Sequence, residues 1–195
     1  MPIDPGPTDE TLLARCAAGD RAAFDELVSR HGDALYRFAL RQCRSGRDAE
    51  DATQDGLLAA WRGAATWRGE AAPRTWLFQV VLHACRRRSR RRVGEPAQHA
   101  PVEEAAALEA GGPAPDERLA TDQAGAALRA ALLDLPEEAR EVLLLRDVEG
   151  LSGEEAAAVL GLGLAAMKSR LHRARLELKA GVEALLGGAL TEERS

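Results

Sequence analysis

Apolar positions recur at helical spacing in two stretches of the chain and thin out between them. In the first, Asp20 can cap a helix whose Phe24, Leu27, Val28, His31, Leu35 and Phe38 fall on one face. The spacing predicts a long amphipathic helix, or a helix pair interrupted near Gly32. A second helix is predicted over about 48–62, with Ala49, Ala52, Leu57, Ala60 and Trp61 inward and Asp51, Gln54, Asp55 and Leu58 outward. A third starts near Pro73, a residue suited to a first helical position, and runs through Trp76, Leu77, Val80, Val81 and Ala84 into a run of arginines. The loop 64–72 lies between the last two.

The second stretch carries the sharper pattern. Leu135-Pro136-Glu137-Glu138 opens a helix with acids in its first turn, which passes through Val142, Leu143 and Leu145 and stops before Gly150. Ser152-Gly153-Glu154-Glu155 then fits a capping box and starts a short helix ending at Leu160. After the turn Gly161-Leu162-Gly163, the residues Leu164, Met167, Leu171, Ala174 and Leu178 step 3, 4, 3, 4 along one helical face. The opposite face carries Lys168, Ser169, His172, Arg173, Arg175 and Lys179. A short capped helix, a tight turn and a basic amphipathic helix together predict a helix-turn-helix whose second helix can enter a major groove.

Between the two stretches, 93–118 holds Pro96, Pro101, Pro113, Pro115, the pair Gly111-Gly112 and six acids against one arginine. Such a segment buries too little to fold alone and is expected to be a flexible acidic linker. The chain therefore divides into a first domain over 8–92, the linker over 93–118 and a second domain over 119–187.

Composition agrees with helices throughout. Alanine (39) and leucine (28) dominate the 195 residues, while Val, Ile and Thr together number 17, so the class expected is all-α: two small helical domains. The net charge of -5 hides a division, because 1–92 carries +4, 93–118 carries -5 and 119–195 carries -4. Binding responds to the local patch, so overall acidity does not exclude nucleic acid. No run approaches the roughly 18 apolar residues of a membrane span, and a soluble, cytoplasmic protein without membrane insertion is expected. Cys16, Cys43 and Cys85 are odd in number and far apart, indicating neither a disulfide framework nor a metal site; no cofactor is expected.

On the last helix, a basic face reads either as solvated charge or as a DNA reader. The preceding helix and turn, and Ser and His among the cations, favour the second. Lys168, Arg173 and Arg175 suit phosphate or guanine contacts, Ser169 and His172 suit short-range readout, and Arg170 suits an intramolecular pair or a phosphate contact. The run 86–92 reads evenly as a frayed helix end or a nucleic-acid patch, until Gln79, His83, Arg86 and Arg90 are seen to step 4, 3, 4 on a helix. That stripe leads from the loop bearing Trp67 and Arg68 into the cations, which is what single-stranded nucleic acid requires. Trp61 and Trp76 are expected in the core. Asp48, Glu50, Asp51 and Asp55 read as a decorated helix start or as a protein-docking face; without a His or Cys partner they point away from catalysis, and no nucleophile elbow or phosphate loop supports an enzyme. Cys85 is expected to be an inert buried thiol, the alternative being a thiolate favoured by neighbouring arginines.

The chain resembles the extracytoplasmic-function group of bacterial sigma factors. Leu135-Pro136, the run 140–152 and Lys168-Ser169-Arg170-Leu171-His172-Arg173-Ala174-Arg175 are similar to that family's region four. Gly19-Asp20, Asp48-Ala49-Glu50-Asp51, Gln54-Asp55, Trp67-Arg68-Gly69 and Thr75-Trp76-Leu77 are similar to region two. The resemblance implies a non-enzymatic factor that binds bacterial core RNA polymerase, with Asp51, Gln54 and Asp55 docking on the β′ clamp helices and the second domain meeting the β flap. It implies capture of the melted minus-ten strand by Trp67, Arg68, Gln79, His83, Arg86, Arg87 and Arg90. It further implies reading of the minus-thirty-five duplex by Arg146, Lys168, Ser169, Arg170, His172, Arg173 and Arg175, and an anti-sigma factor as partner. The sequence departs from the family in having His83 where Asn is common, Pro73 where an aromatic is common, and Ala165-Ala166 at the start of the reading helix. The competing readings are a stand-alone helix-turn-helix regulator, which leaves Asp51, Gln54, Asp55 and Trp67 without a role, and a sigma-like decoy for an anti-sigma factor, which would not need both basic patches.

Overall fold

The computed structural model describes residues 6–91 and 115–192, with side chains over 6–90 and 124–187. These residues form helices and connecting turns, with no strand among them. The first half contains α1 (Asp9–Ala17), α2 (Arg21–Gln42), α3 (Gly46–Gly63), a 3₁₀ turn (Ala64–Thr66) and α4 (Pro73–Arg91). The second contains α5 (Pro115–Asp134), α6 (Glu137–Leu143), a π-helical turn (Leu144–Val148), α7 (Gly153–Leu160) and α8 (Leu164–Glu192). The expected linker lies outside the described residues except for 115–118, which open α5.

α2 runs unbroken through Gly32, so the expected choice between one helix and two resolves to one. Asp20 caps it, its carboxylate accepting from the Ala23 amide at 3.2 Å. Ser45 caps α3 in the same way, accepting from the Asp48 amide at 3.2 Å while its hydroxyl donates to the Asp48 carboxylate at 2.6 Å. The inward face of α3 is made of small residues, Ala49, Ala52, Gly56 and Ala60, all buried. That choice lets α4 approach closely: a Cβ on Gly56 would lie 2.8 Å from Val81 Cγ2 and 3.0 Å from Val81 Cα. Phe38 and Phe78 meet edge to face at 5.4 Å and pin α2 to α4. α1, absent from the expected elements, packs Leu12, Leu13 and Cys16 with Ala23, Leu27 and Ala64, and Phe24, Trp61, Trp67 and Trp76 close over this smaller cluster.

In the second half the capping box forms as expected: Ser152 Oγ accepts from the Glu155 amide at 3.1 Å, and the Glu155 carboxylate accepts from the Ser152 amide at 2.8 Å. α7 ends at Gly161, whose φ of +68° is the left-handed conformation glycine adopts without strain. Met167, Leu171 and Ala174 turn the apolar face of α8 inward onto α6 and α7. The two halves meet: one contiguous hydrophobic cluster runs from Phe38, Phe78 and Leu82 through Leu135, Val142 and Leu145 to Met167.

Candidate nucleic-acid interface

α3 and α4 set the first surface. Because α3 turns its small residues to α4, Asp51, Gln54, Asp55 and Leu58 face outward, with Gln54 and Leu58 exposed and the two aspartates half-buried. The aspartates are held by Arg88 of α4, which donates to Asp51 at 2.9 Å and to Asp55 at 3.2 Å. Arg88 was not singled out in the sequence, and no short-range signal links it to carboxylates more than thirty positions earlier. Its fork bridges the two α3 carboxylates at a partly exposed site.

The stripe on α4 forms, but its members differ in availability. Arg87 and Arg90 are exposed, Gln79 is half-buried, and the ring of His83 reaches solvent. Partial burial, and after it the Arg86 and Arg87 charges, push the His83 pKa down against the opposing pull of Glu141. The neutral imidazole is therefore favoured, leaving one ring nitrogen to donate and one to accept. Arg86 is engaged: its Nε and Nη2 make a bidentate pair with Glu141 of α6, both at 2.7 Å, and the Glu141 side chain is 1% exposed. The side chains of Arg91 and Arg92 lie outside the described residues. Trp67 is half-buried on the α1 cluster and its indole N–H donates to the Ala71 carbonyl at 3.0 Å, while Arg68 beside it is exposed. The indole thus braces the 64–72 loop and is only partly exposed.

On α8, Lys168, Ser169, His172 and Arg173 are all exposed on the face opposite Met167 and Leu171. Other cations near them are spoken for. Arg175 pairs bidentately with Asp147 at 2.6 and 2.9 Å, which raises its pKa through that hydrogen-bonded partner. Arg170 meets Glu138 at 3.1 Å, the intramolecular alternative foreseen for it. Arg146 turns inward, its Nη1 donating to the Leu151 carbonyl, so it buttresses the turn into α7 rather than standing beside the exposed cations. Four exposed polar and cationic residues, Lys168, Ser169, His172 and Arg173, remain on this face of α8.

All three cysteines are buried free thiols. The Cys85 thiol has its pKa driven upward by the neighbouring Cys43 and by burial, the behaviour of the inert alternative rather than of an activated thiolate. Among the described residues no group of three or more His, Cys, Asp or Glu is placed to hold a metal ion, and no helix is long and apolar enough to cross a membrane.

Known proteins resemble the chain in both sequence and fold. A family model for sigma-70 region 2 matches residues 27–94, and one for sigma-70 region 4 matches 125–178. The ECF RNA polymerase sigma factor SigM of Mycobacterium tuberculosis is 40% identical over 171 residues, spanning 88% of this chain and 83% of that protein. The sigma factor CnrH of Cupriavidus metallidurans is 33% identical over 187 residues, 93% of this chain and 98% of CnrH. The structure of CnrH in complex with the cytosolic domain of CnrY superimposes with a TM-score of 0.67 at 32% identity, covering 90% of this chain and 97% of that one. The two region matches fall in order on the first and second halves, and near-full-length identity reaches 40%: the chain belongs to the extracytoplasmic-function group of sigma factors and directs promoter-specific transcription.

Proposed function

We propose that this sigma factor divides its work between the two halves residue by residue. Asp51, Gln54 and Asp55 dock on the β′ clamp helices of core polymerase, with the exposed Leu58, one turn further along α3, adding apolar area to that contact. Arg87, Arg90, His83 and Gln79 hold the melted minus-ten strand beside the 64–72 loop, with Arg68 and the accessible part of Trp67 at its rim. Lys168, Ser169, His172 and Arg173 read the minus-thirty-five duplex, and Arg170, Arg175 and Arg146 hold the helix-turn-helix that presents them. The observation that carries this reading is the exposure of those four α8 residues on one helical face above a buried Met167–Leu171–Ala174 seam.

The factor acts in the cytoplasm, without a catalytic group or cofactor of its own, and meets the β flap through its second half. CnrH is solved with the cytosolic domain of CnrY, which supports a protein partner of the anti-sigma kind here as well. The 93–118 segment serves as the acidic connection between domains 8–92 and 119–187. Pull-down of core polymerase tests the docking assignment: Asp51→Arg should abolish binding while the variant keeps its helical circular dichroism, and undiminished binding would move the docking face elsewhere. Arg173→Ala should weaken initiation at promoters that depend on the upstream element, and equal initiation would remove it from the reading set.

A further inference from the structure

The seam between the halves is lined by charge of opposite sign on its two sides. From the second half come four glutamates. Glu141 takes the bidentate pair from Arg86, Glu137 accepts from Ser89 Oγ at 3.0 Å, and Glu155 accepts from Thr75 Oγ1 at 2.8 Å. The fourth, Glu149, lies 3.6 Å from Arg74, which also donates to the Glu149 carbonyl at 2.9 Å. The charges of Arg41 and Arg37 on α2 act on the same carboxylate. On the first half the partners run along α4 from Arg74 to Ser89, about 22 Å of helix at 1.5 Å per residue, with α2 alongside. Gln79 and His83 belong to the same stretch of α4.

We infer that this face of α2 and α4, including Arg37, Arg41 and Arg74, is a backbone track for nucleic acid, and that the second half's glutamates occupy it as internal stand-ins for phosphates in the free chain. The inference deepens the sigma-factor reading and rests on it for the identity of the strand. Three features of the track favour nucleic acid. Its cations are arginines, whose planar forks match phosphate as they match carboxylate. Hydroxyls at Thr75 and Ser89 sit between them, as in phosphate contacts. The length suits several nucleotides. The seam also carries a cost that opening would return. Arg140 of α6 is buried with its Nε unpartnered by protein, and burial pushes its pKa down. Glu149, though close to three arginines, has its pKa raised by burial. Closing is thus a balance of desolvation against pairing, and a phosphate strand competes for the same guanidiniums.

The test uses the full-length free chain without polymerase and a fluorescein-labelled single-stranded 20-mer, read by anisotropy across a salt series. Glu137→Gln with Glu149→Gln, the first partly exposed and the second buried in the seam, should tighten binding about tenfold and steepen its salt dependence, since each newly available cation adds a released counterion. Adding Arg37→Ala and Arg41→Ala to that background should remove most of the gain. The charge-matched Glu50→Gln with Glu183→Gln, away from the seam, should leave affinity near that of the parent. Equal tightening by both pairs, or none by the seam pair in protein that melts as the parent does, overturns the inference. Tightening for an acidic peptide but not for the 20-mer overturns it in favour of a protein-docking face. Because polymerase is absent, loss of transcriptional activity elsewhere would count against the sigma-factor assignments without touching this result.

Discussion

Two cationic helices face opposite fates in this molecule. On α4, Arg74, Arg86 and Arg88 are all bonded to carboxylates or carbonyls, and Glu141, the partner of Arg86, is almost wholly buried. On α8, Lys168, His172 and Arg173 stand in solvent, and the pairs nearby, Arg175 with Asp147 and Arg170 with Glu138, are themselves partly exposed. The difference is one of tertiary covering, since α8 packs only its apolar face while α4 is packed from both sides, by α3 beneath and by the second half across the seam. On the proposed division of work, a helix that reads duplex needs only to project. A helix proposed to hold a strand, and turned toward another part of the chain, has its charge taken by that chain.

The contrast breaks most visibly at Glu141. Glu141→Ala leaves the Arg86 guanidinium half-buried without its carboxylate, and should lower stability by about 3–5 kcal/mol in thermal or urea unfolding. A loss under about 1 kcal/mol would show that the seam pair is no more than a surface contact. Next is Gly56→Ala, where the added methyl must displace Val81 and lift α4 from α3. A cost of about 1–3 kcal/mol is expected in thermal or urea unfolding.

Ser152→Ala removes one arm of the capping box and should cost about 1 kcal/mol, sharpening the comparison because it loosens the start of α7 while leaving the Arg86–Glu141 pair in place. The other arm gives a pH signature. Glu155 has its pKa lowered, first by the Ser152 amide and then by Thr75, so the stabilisation is complete above the ordinary glutamate value of 4.5 and is lost as pH falls through the depressed folded value. Glu155→Gln should flatten that acid limb, and an unchanged limb would place the titration in another carboxylate. The smallest effect is expected from Asp147→Ala: the exposed Arg175 pair should contribute under about 1 kcal/mol, and its removal should leave the melting temperature nearly unmoved.

Much of the local structure was legible because it depends on near neighbours. The Asp20 cap, the Ser152–Glu155 box, the Gly161 turn and the 3, 4, 3, 4 stripe of α8 each occupy a few consecutive residues, and the structure builds each of them. Two further helices, α1 and α5, carry weaker signals in the sequence. Thr8 before Asp9-Glu10 caps α1, and Pro115 before Asp116-Glu117 opens α5, whose alanine-rich face, with Ala127 and Ala131 buried, gives only a faint periodicity. The fates of the arginines were illegible in sequence. Arg86, Arg88, Arg146 and Arg175 look alike in a row of cations, yet their partners Glu141, Asp51, Leu151 and Asp147 are chosen by tertiary packing, up to 55 positions away. Trp67 looked like a free ring for the same reason, its Ala71 hydrogen bond depending on how the loop closes.

The most direct test of the whole account is transcription in vitro by purified bacterial core polymerase on fragmented genomic DNA, with RNA 5′ ends sequenced for the parent chain and for Arg173→Ala. The account predicts new start sites sharing two upstream elements at fixed spacing with the parent, and selective loss at sites with a weak minus-ten element in the variant. Active core that gains no new starts, or a variant whose start sites match the parent's in position and strength, would contradict it.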